Sequence, residues 1–482
     1  MLEKKTELTI LAFMNKSVKL NDKKSTSFEP SEKNKNLITE GPAWKGLLSF
    51  FFPILFGTVF QQLYNTADAI IVGQFAGKES LAAVAGGTAV FVTLLTGFFV
   101  GISSGAGVIV SQFYGAKNEG EVSRASHTAL MLAIIAGAVM SAAGFLIAPF
   151  AMKLIETPSD FYDKSVCYLR IYFSGMIPMF VYNMGSGIFR ATGDSKTPLY
   201  VLIAGCAANV VFDLLFVVVL KKDVAGAAWA TVLCQTLSMI LILLKMKCTP
   251  QGFRLKFSKL SVTAHLLKKM IQIGIPTGMQ SVFYTISNLI IQSDVNSFGT
   301  VTAAAWAAYG RIDSIYWMTI NAFAIALTTF AGQNYGAGKI ERIHQGTKNG
   351  MFMGGAIALS VTFFFMLFGK VFFRLFTADT DVIQAGLCMM RFLSPFFVVY
   401  MPVELLAAVI RGTGCTFIPT VITCFGVCVL RLLWLIFIFP LNRTMLMAFA
   451  CYPMTWTVTA VIFIIYYRYG KWLKDYTKNS FQ

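Results

Sequence analysis

Charge is scarce in this chain. Only 13% of its 482 residues are Asp, Glu, Lys or Arg, against about a quarter in an ordinary soluble protein. That deficit excludes a water-soluble globule, because most side chains never meet water. Acidic residues are scarcer still, 23 against 40 basic ones, which leaves a formal charge of +17. No nucleic-acid recognition motif accompanies the positive charge, so nucleic acid is not an expected partner. Cationic residues gathered on the cytoplasmic side of a membrane protein account for it.

The nine Cys form neither a CxxC pair nor a Cys/His cluster with zinc spacing. They read as small helix-packing residues, and no structural metal or cofactor is expected. HExxH and GxxxxGK[ST] are missing as well, so neither a zinc protease nor a phosphate-binding loop is encoded. Ala191-Thr-Gly-Asp194 is not the Gly-x-Gly-Asp of intramembrane aspartyl proteases. The chain does not read as an enzyme. No cleavable signal is evident at the N-terminus.

What is abundant is apolar. Hydrophobic residues make up 56% of the chain, with 44 Phe and 39 Gly, and mean hydropathy is +0.66. Runs long enough to span a bilayer occur at 46–76, 82–112, 125–150, 165–189, 198–220, 224–246, 265–298, 302–332, 347–370, 383–410, 417–440 and 444–467. The expected fold is therefore an all-α polytopic membrane protein of about twelve spanning helices. The expected domains are a tail at 1–43, a first six-helix bundle at 44–246, a basic linker at 247–264, a second bundle at 265–467 and a tail at 468–482.

Loops after even-numbered helices, counting Arg190 and Arg411 among them, hold 15 Lys and Arg, against 10 after odd-numbered helices. Both tails are Lys-rich. The positive-inside rule then places both termini and the 247–264 linker in the cytoplasm.

The halves repeat. Gln112-Phe-Tyr-Gly-Ala116 recurs as Gln333-Asn-Tyr-Gly-Ala337, and Arg190-Ala-Thr-Gly193 recurs as Arg411-Gly-Thr-Gly414, both at an offset of 221. Pro53 and Asn65 answer Pro276 and Asn288 at 223. Six helices per half give both halves the same orientation, the mark of parallel repeats with a substrate cavity between them. The repeated glycines read as tight turns at helix ends that need positive φ.

Ionisable groups inside spanning helices are costly and therefore functional candidates. Asp68 and Asp213 are the clearest, and Asn209 shares a helix face with Asp213. Counted from Gly77, Leu220 and Val224, the residues Asp68, Asp213 and Thr231 all lie about 10–14 Å below the outer surface. Two carboxylates, an amide and a hydroxyl at one depth can cage a hard cation, or the carboxylates can share a proton. The other reading gives each Asp its own structural hydrogen bond. In the second half the positions of Asn209 and Asp213 fall on Leu430 and Trp434, so the halves differ in role. Gln280, Asn288, Glu404 and Arg431 are candidates there for substrate contacts or structural pairs, with Arg431 expected to pair with Glu404 or Asp313. Pro53 allows the first helix to bend.

Pro53 with Gln61-Gln-Leu-Tyr-Asn-Thr-Ala-Asp68, Asn209-Val-Val-Phe-Asp213, Gly226-Ala-Ala-Trp-Ala-Thr231 and the repeated turns together resemble the multidrug and toxic compound extrusion (MATE) family of antiporters over about residues 45–467. The resemblance implies two six-helix bundles working by alternating access in the plasma membrane. It implies export of organic cations and other amphipathic compounds against inward Na⁺ or H⁺. It also implies that Asp68, Asn209, Asp213 and Thr231 hold the coupling cation, with Tyr168 and Asn183 in support. The expected partners are the lipid bilayer and small amphipathic or cationic substrates, and the protein is taken as a monomer. The alternative is a flippase for lipid-linked sugars, a related architecture that concentrates cationic residues in its cavity; the acidic surplus of the intramembrane charge here favours organic cations instead.

Overall fold

Apolar runs too long for a soluble core leave one solution for the backbone in lipid: helices that satisfy their own hydrogen bonds. The computed structural model describes residues 38–249 and 252–473, and every regular element among them is helical. Most of the two expected tails lies outside the described residues. In the first half, α1 is Ala43–Phe75, α2 is Gly87–Gly115 and α3 is Glu119–Leu154. Helix α4 comes in two pieces, Ser159–Ser174 and Met176–Ala191. Helix α5 is Lys196–Asp213, continued by a π-helical stretch Leu214–Val219, and α6 is Asp223–Cys248.

The second half repeats the order. Helices α7, α8 and α9 are Ala264–Asn296, Thr300–Gly336 and Ile340–Arg374. Helix α10 joins Thr380–Leu393 to Phe397–Gly412 through a 3-10 turn at Ser394–Phe396. Helix α11 begins at Phe417–Thr423 and carries π-helical stretches at Cys424–Val429 and Trp434–Ile438, and α12 is Cys451–Tyr469. Side chains such as Leu146 and Phe352, more than 70% exposed, face the lipid.

Ten of these helices are long and apolar enough to cross a membrane on those grounds alone. The two that fall short have local causes. In α4, Pro178 has no N–H to offer the carbonyl of Ser174, and the helix breaks at Gly175. In α7 the window is diluted by Lys268, Lys269 and a run of amides and hydroxyls.

The cores cross the expected bundle boundary. The start of α1, with Leu47, Phe50, Phe51 and Ile54, packs into the second-half core with Tyr309, Phe323 and Phe330. The start of α7, with Leu266, Met270 and Ile273, packs into the first-half core. Further along, α1 returns to its own half, where Ile71 and Val72 meet Val217 and Ala227, and Ile291 and Val295 of α7 join the second-half core. Pro53 and Pro276 lie inside the helices that make these crossings. Segments leading into both helices are held by the opposite half in kind: Asn334 donates to the carbonyl of Ile38 at 3.0 Å, and Thr128 accepts from the Thr263 N–H at 3.1 Å.

Helices α2 and α7 cross backbone to backbone. A Cβ on Gly105 would stand 2.6 Å from the Gly274 nitrogen, and one on Gly101 would overlap Gly278. At the repeated turns the expectation of positive φ holds for Gly193 (95°) and Gly414 (93°). It fails for Gly115 and Gly336, which end helices α2 and α8. There a Cβ would collide with the Gln333 and Gln112 carbonyls of the facing helix, so close approach is what requires glycine.

Candidate functional site

Two polar places lie inside the apolar mass. The first sits within the first half. Ile71 with Val72 of α1, Val217 of the π stretch and Ala227 of α6 form a small buried apolar cluster. Asp68, Asp213 and Thr231 each lie one helical turn from a member of it, at Val72, Val217 and Ala227. The turn is toward the N-terminus on α1 and α5 and toward the C-terminus on the antiparallel α6, so all three lie on the same side of the cluster. The depth argument and the packing thus agree.

Asp213 and Asn209 are fully buried and Thr231 nearly so. The carboxyl groups of Asp68 and Asp213 interact with each other, and Tyr64, Tyr168 and Cys234 lie within their electrostatic reach. Thr231 Oγ1 donates to the Ala227 carbonyl at 3.1 Å, which leaves its own lone pairs free. Yet apart from the contact of the two carboxyls with each other, both oxygens of Asp213, both polar atoms of the Asn209 amide and Oδ1 of Asp68 are buried without a hydrogen-bond partner among the described residues. Buried polar atoms are normally satisfied. Five such atoms in one place are the kind of set that a cation, or a proton with water, would satisfy. The change from α to π winding begins at the residue after Asp213, and such bulges recur at functional sites.

The second place is a cavity of about 290 Å³ between the halves, lined by α2, α4, α7, α8 and α10. Its far end is shut by two reciprocal hydrogen bonds. Gln112 Nε2 donates to the Gly412 carbonyl at 3.0 Å, and Gln333 Nε2 donates to the Ala191 carbonyl at 2.7 Å. Both donors and both acceptors are related by the 221-residue repeat, so each half latches the other.

The site residues expected from the sequence divide between these places. Tyr168 joins the carboxylate pair, whereas Asn183 lines the central cavity and donates to the Met179 carbonyl at 2.9 Å. Gln280 and Glu404 also line the cavity. Asn288 does not; its Oδ1 accepts from Arg431 Nη1 at 3.2 Å. The expected pairing of Arg431 with Glu404 or Asp313 is not found: the Arg431 guanidinium lies 4.3 Å from the Tyr452 ring, and Asp313 accepts from Trp317 Nε1 at 2.9 Å.

Arg190 and Arg411, read from the sequence as loop cations, instead line the cavity. Their signal was the repeated Arg-x-Thr-Gly motif itself, which also carries the turn. Arg411 is answered by Glu404 at 3.1 Å. No unpaired carboxylate lines the cavity among the described residues, so the acidic surplus inside the membrane resides elsewhere.

A family model described as MatE matches residues 53–215 and 276–436. The chain is 28% identical over 451 residues to the "Probable multidrug resistance protein YpnP" of Bacillus subtilis (strain 168), covering 90% of this chain and 97% of that one. It is 27% identical over 411 residues to the "Probable multidrug resistance protein YoeA" of the same strain, covering 83% and 88%. A solved structure described as the "Outward-facing conformation of a multidrug resistance MATE family transporter of the MOP superfamily" superposes with TM-score 0.85 at 23% identity, covering 93% of this chain and 100% of that one.

Proposed function

The chain belongs to the MatE family of multi-pass membrane transporters, and we propose that it exports drugs and other toxic amphipathic compounds from the cell, driven by inward movement of Na⁺ or H⁺. The observation that carries the coupling is the set of orphaned oxygens of Asp68, Asn209 and Asp213. Two carboxylates held together in a low-dielectric site repel unless a proton or a cation lies between them. Occupancy therefore draws the end of α1 onto α5 and α6, and loss of the ion lets it go.

Coupling follows from where α1 runs. Its start is fixed in the second-half core and its end carries Asp68 against the first half, with Pro53 inside the helix between. An ion that pulls Asp68 toward Asp213 changes the relation of the two halves, and with it the central cavity. Substrate and ion need to favour different arrangements, or no exchange results.

The latch formed by Gln112 and Gln333 sits at helix ends that the positive-inside rule assigns to the cytoplasm. The arrangement described is then shut toward the cytoplasm. The protein sits in the plasma membrane with both termini inside, and it acts as a monomer.

A flippase for lipid-linked sugars remains the second reading, favoured by two arginines in the cavity. Against it, one of the two is neutralised by Glu404, and the carboxylate pair has no task in an uncoupled flippase. The two readings part when purified protein in liposomes is given separate Na⁺ and pH gradients and a fluorescent dye. Dye movement that follows one gradient supports the exporter; movement indifferent to both overturns it.

A further inference from the structure

The repeat makes the cavity an experiment with an internal control. Arg190 on α4 and Arg411 on α10 are equivalents at the 221 offset, and both line the cavity. Their partners differ. Arg411 Nη2 pairs with Glu404 Oε1 at 3.1 Å, and Arg411 Nη1 donates to Gln280 Oε1 at 3.4 Å. Glu404 Oε2 accepts in addition from the Tyr400 hydroxyl at 3.2 Å. That acid is fully occupied by its own half. One offset back, the position of Glu404 is Asn183, an amide that already donates to its own helix. Among the described residues Arg190 has no carboxylate within ion-pair distance and makes no hydrogen bond through its guanidinium. A solvated loop arginine would need none. In the wall of a cavity closed at that end by the Gln112 and Gln333 latch, the half-buried Arg190, with Tyr182 beside it, is left with its guanidinium for whatever enters the cavity.

We propose that Arg190 is the substrate-recognition group of the central cavity, and that the preferred cargo is an organic monoanion: an apolar body bearing one carboxylate. This rests on the exporter reading and specifies its substrate. The guanidinium presents a planar fork that a carboxylate fills with two parallel hydrogen bonds. The cavity offers an organic cation no free acid, because Glu404 is committed to Arg411 and Tyr400. A diphosphate-linked lipid carries at least two charges where one guanidinium is free. The apolar body would lie against Val100, Val108 and Ile325, and Ser111 and Asn321 offer further polar groups.

The test uses the full chain in nanodiscs and radiolabelled naphthoate, naphthalenemethanol and naphthalenemethylamine, three probes sharing one ring system, measured by equilibrium dialysis with empty discs subtracted. Naphthoate should bind at least tenfold more tightly than the amine. Arg190→Gln should weaken naphthoate by about tenfold or more. Asn183→Glu, which copies the second-half pair into the first half, should do the same. Glu404→Gln should act oppositely: it frees Arg411, and affinity for naphthalenedicarboxylate should rise by about tenfold, a gain that misfolding cannot mimic. Amine binding tighter than naphthoate, unchanged naphthoate binding in Arg190→Gln, or farnesyl diphosphate outcompeting naphthoate would each overturn the proposal. Naphthoate binding that tracks Arg190 in discs, joined to a failure of any ion gradient to move naphthoate in liposomes, would leave the anion site standing and overturn the exporter reading alone.

Discussion

The carboxylates at 68 and 213 are the residues on which the account turns. Asp213→Asn keeps the size of the side chain and removes its charge. A hard cation prefers charged oxygen ligands, and a shared proton needs both carboxylates, so ion-driven dye efflux should fall to near background in either case. The protein should still fold, since a neutral amide is cheaper to bury than a carboxylate. Asp68→Asn should match it, and the double variant should be little worse than either one, because residues acting as a unit are not additive. Thr231→Ala separates the ions: Na⁺-driven efflux should weaken while purely H⁺-driven efflux is spared. Asp294→Asn, a half-buried position near the end of α7, is the control and should leave efflux within about twofold of wild type.

This much was legible from residues alone. Counting from helix ends put Asp68, Asp213 and Thr231 at one depth, and the apolar cluster one turn away sets them level. The cavity arginines were not legible. Arg190 and Arg411 stand beside Thr-Gly turns, and a charge beside a turn reads as a loop charge. Only the fold shows that the last turn of α4 and of α10 faces inward there.

Among the elements, helices α2 and α8 make the closest approach at their ends. A Cβ at Gly115 would strike the Gln333 carbonyl, so Gly115→Val should prevent the latch from forming. Efflux should stop, and the thiol of a Ser111→Cys substitution in a Cys-free background should gain reactivity toward a permeant thiol reagent. Normal efflux together with a thiol that stays protected at that position would mean that the closure is not part of the cycle.

The helices themselves were mostly visible as apolar runs, α7 among them despite its polar content. Their irregularities were not. The π stretches of α5 and α11 leave no periodic mark in a run that is apolar all round. The break at Gly175 is foretold only by Pro178, one proline among several that helices here tolerate. The exchange of the first turns of α1 and α7 between bundles is likewise silent, because an apolar face does not say which neighbour covers it.

For the whole molecule, alternating access requires the two halves to move about α1 and α7. A cross-link between Cys residues placed at Gly77 and Gly299, the loops that follow these two helices, should hold the outer ends together and abolish efflux, with recovery on reduction. Full activity at complete cross-linking would argue against that motion. Topology has its own check. An impermeant thiol reagent applied to intact cells should not label a Cys placed at Ser258 in the basic linker; labelling would put the linker outside and invert the orientation.

The central claim is that an ion at Asp68 and Asp213 drives export. Its most direct test is efflux of a fluorescent dye from liposomes containing the purified chain, with Na⁺ and pH gradients imposed one at a time, for wild type and Asp213→Asn. The account predicts that one gradient accelerates wild-type efflux severalfold, that collapsing that gradient abolishes the acceleration, and that Asp213→Asn shows none. Equal gradient-driven efflux in wild type and Asp213→Asn would contradict it.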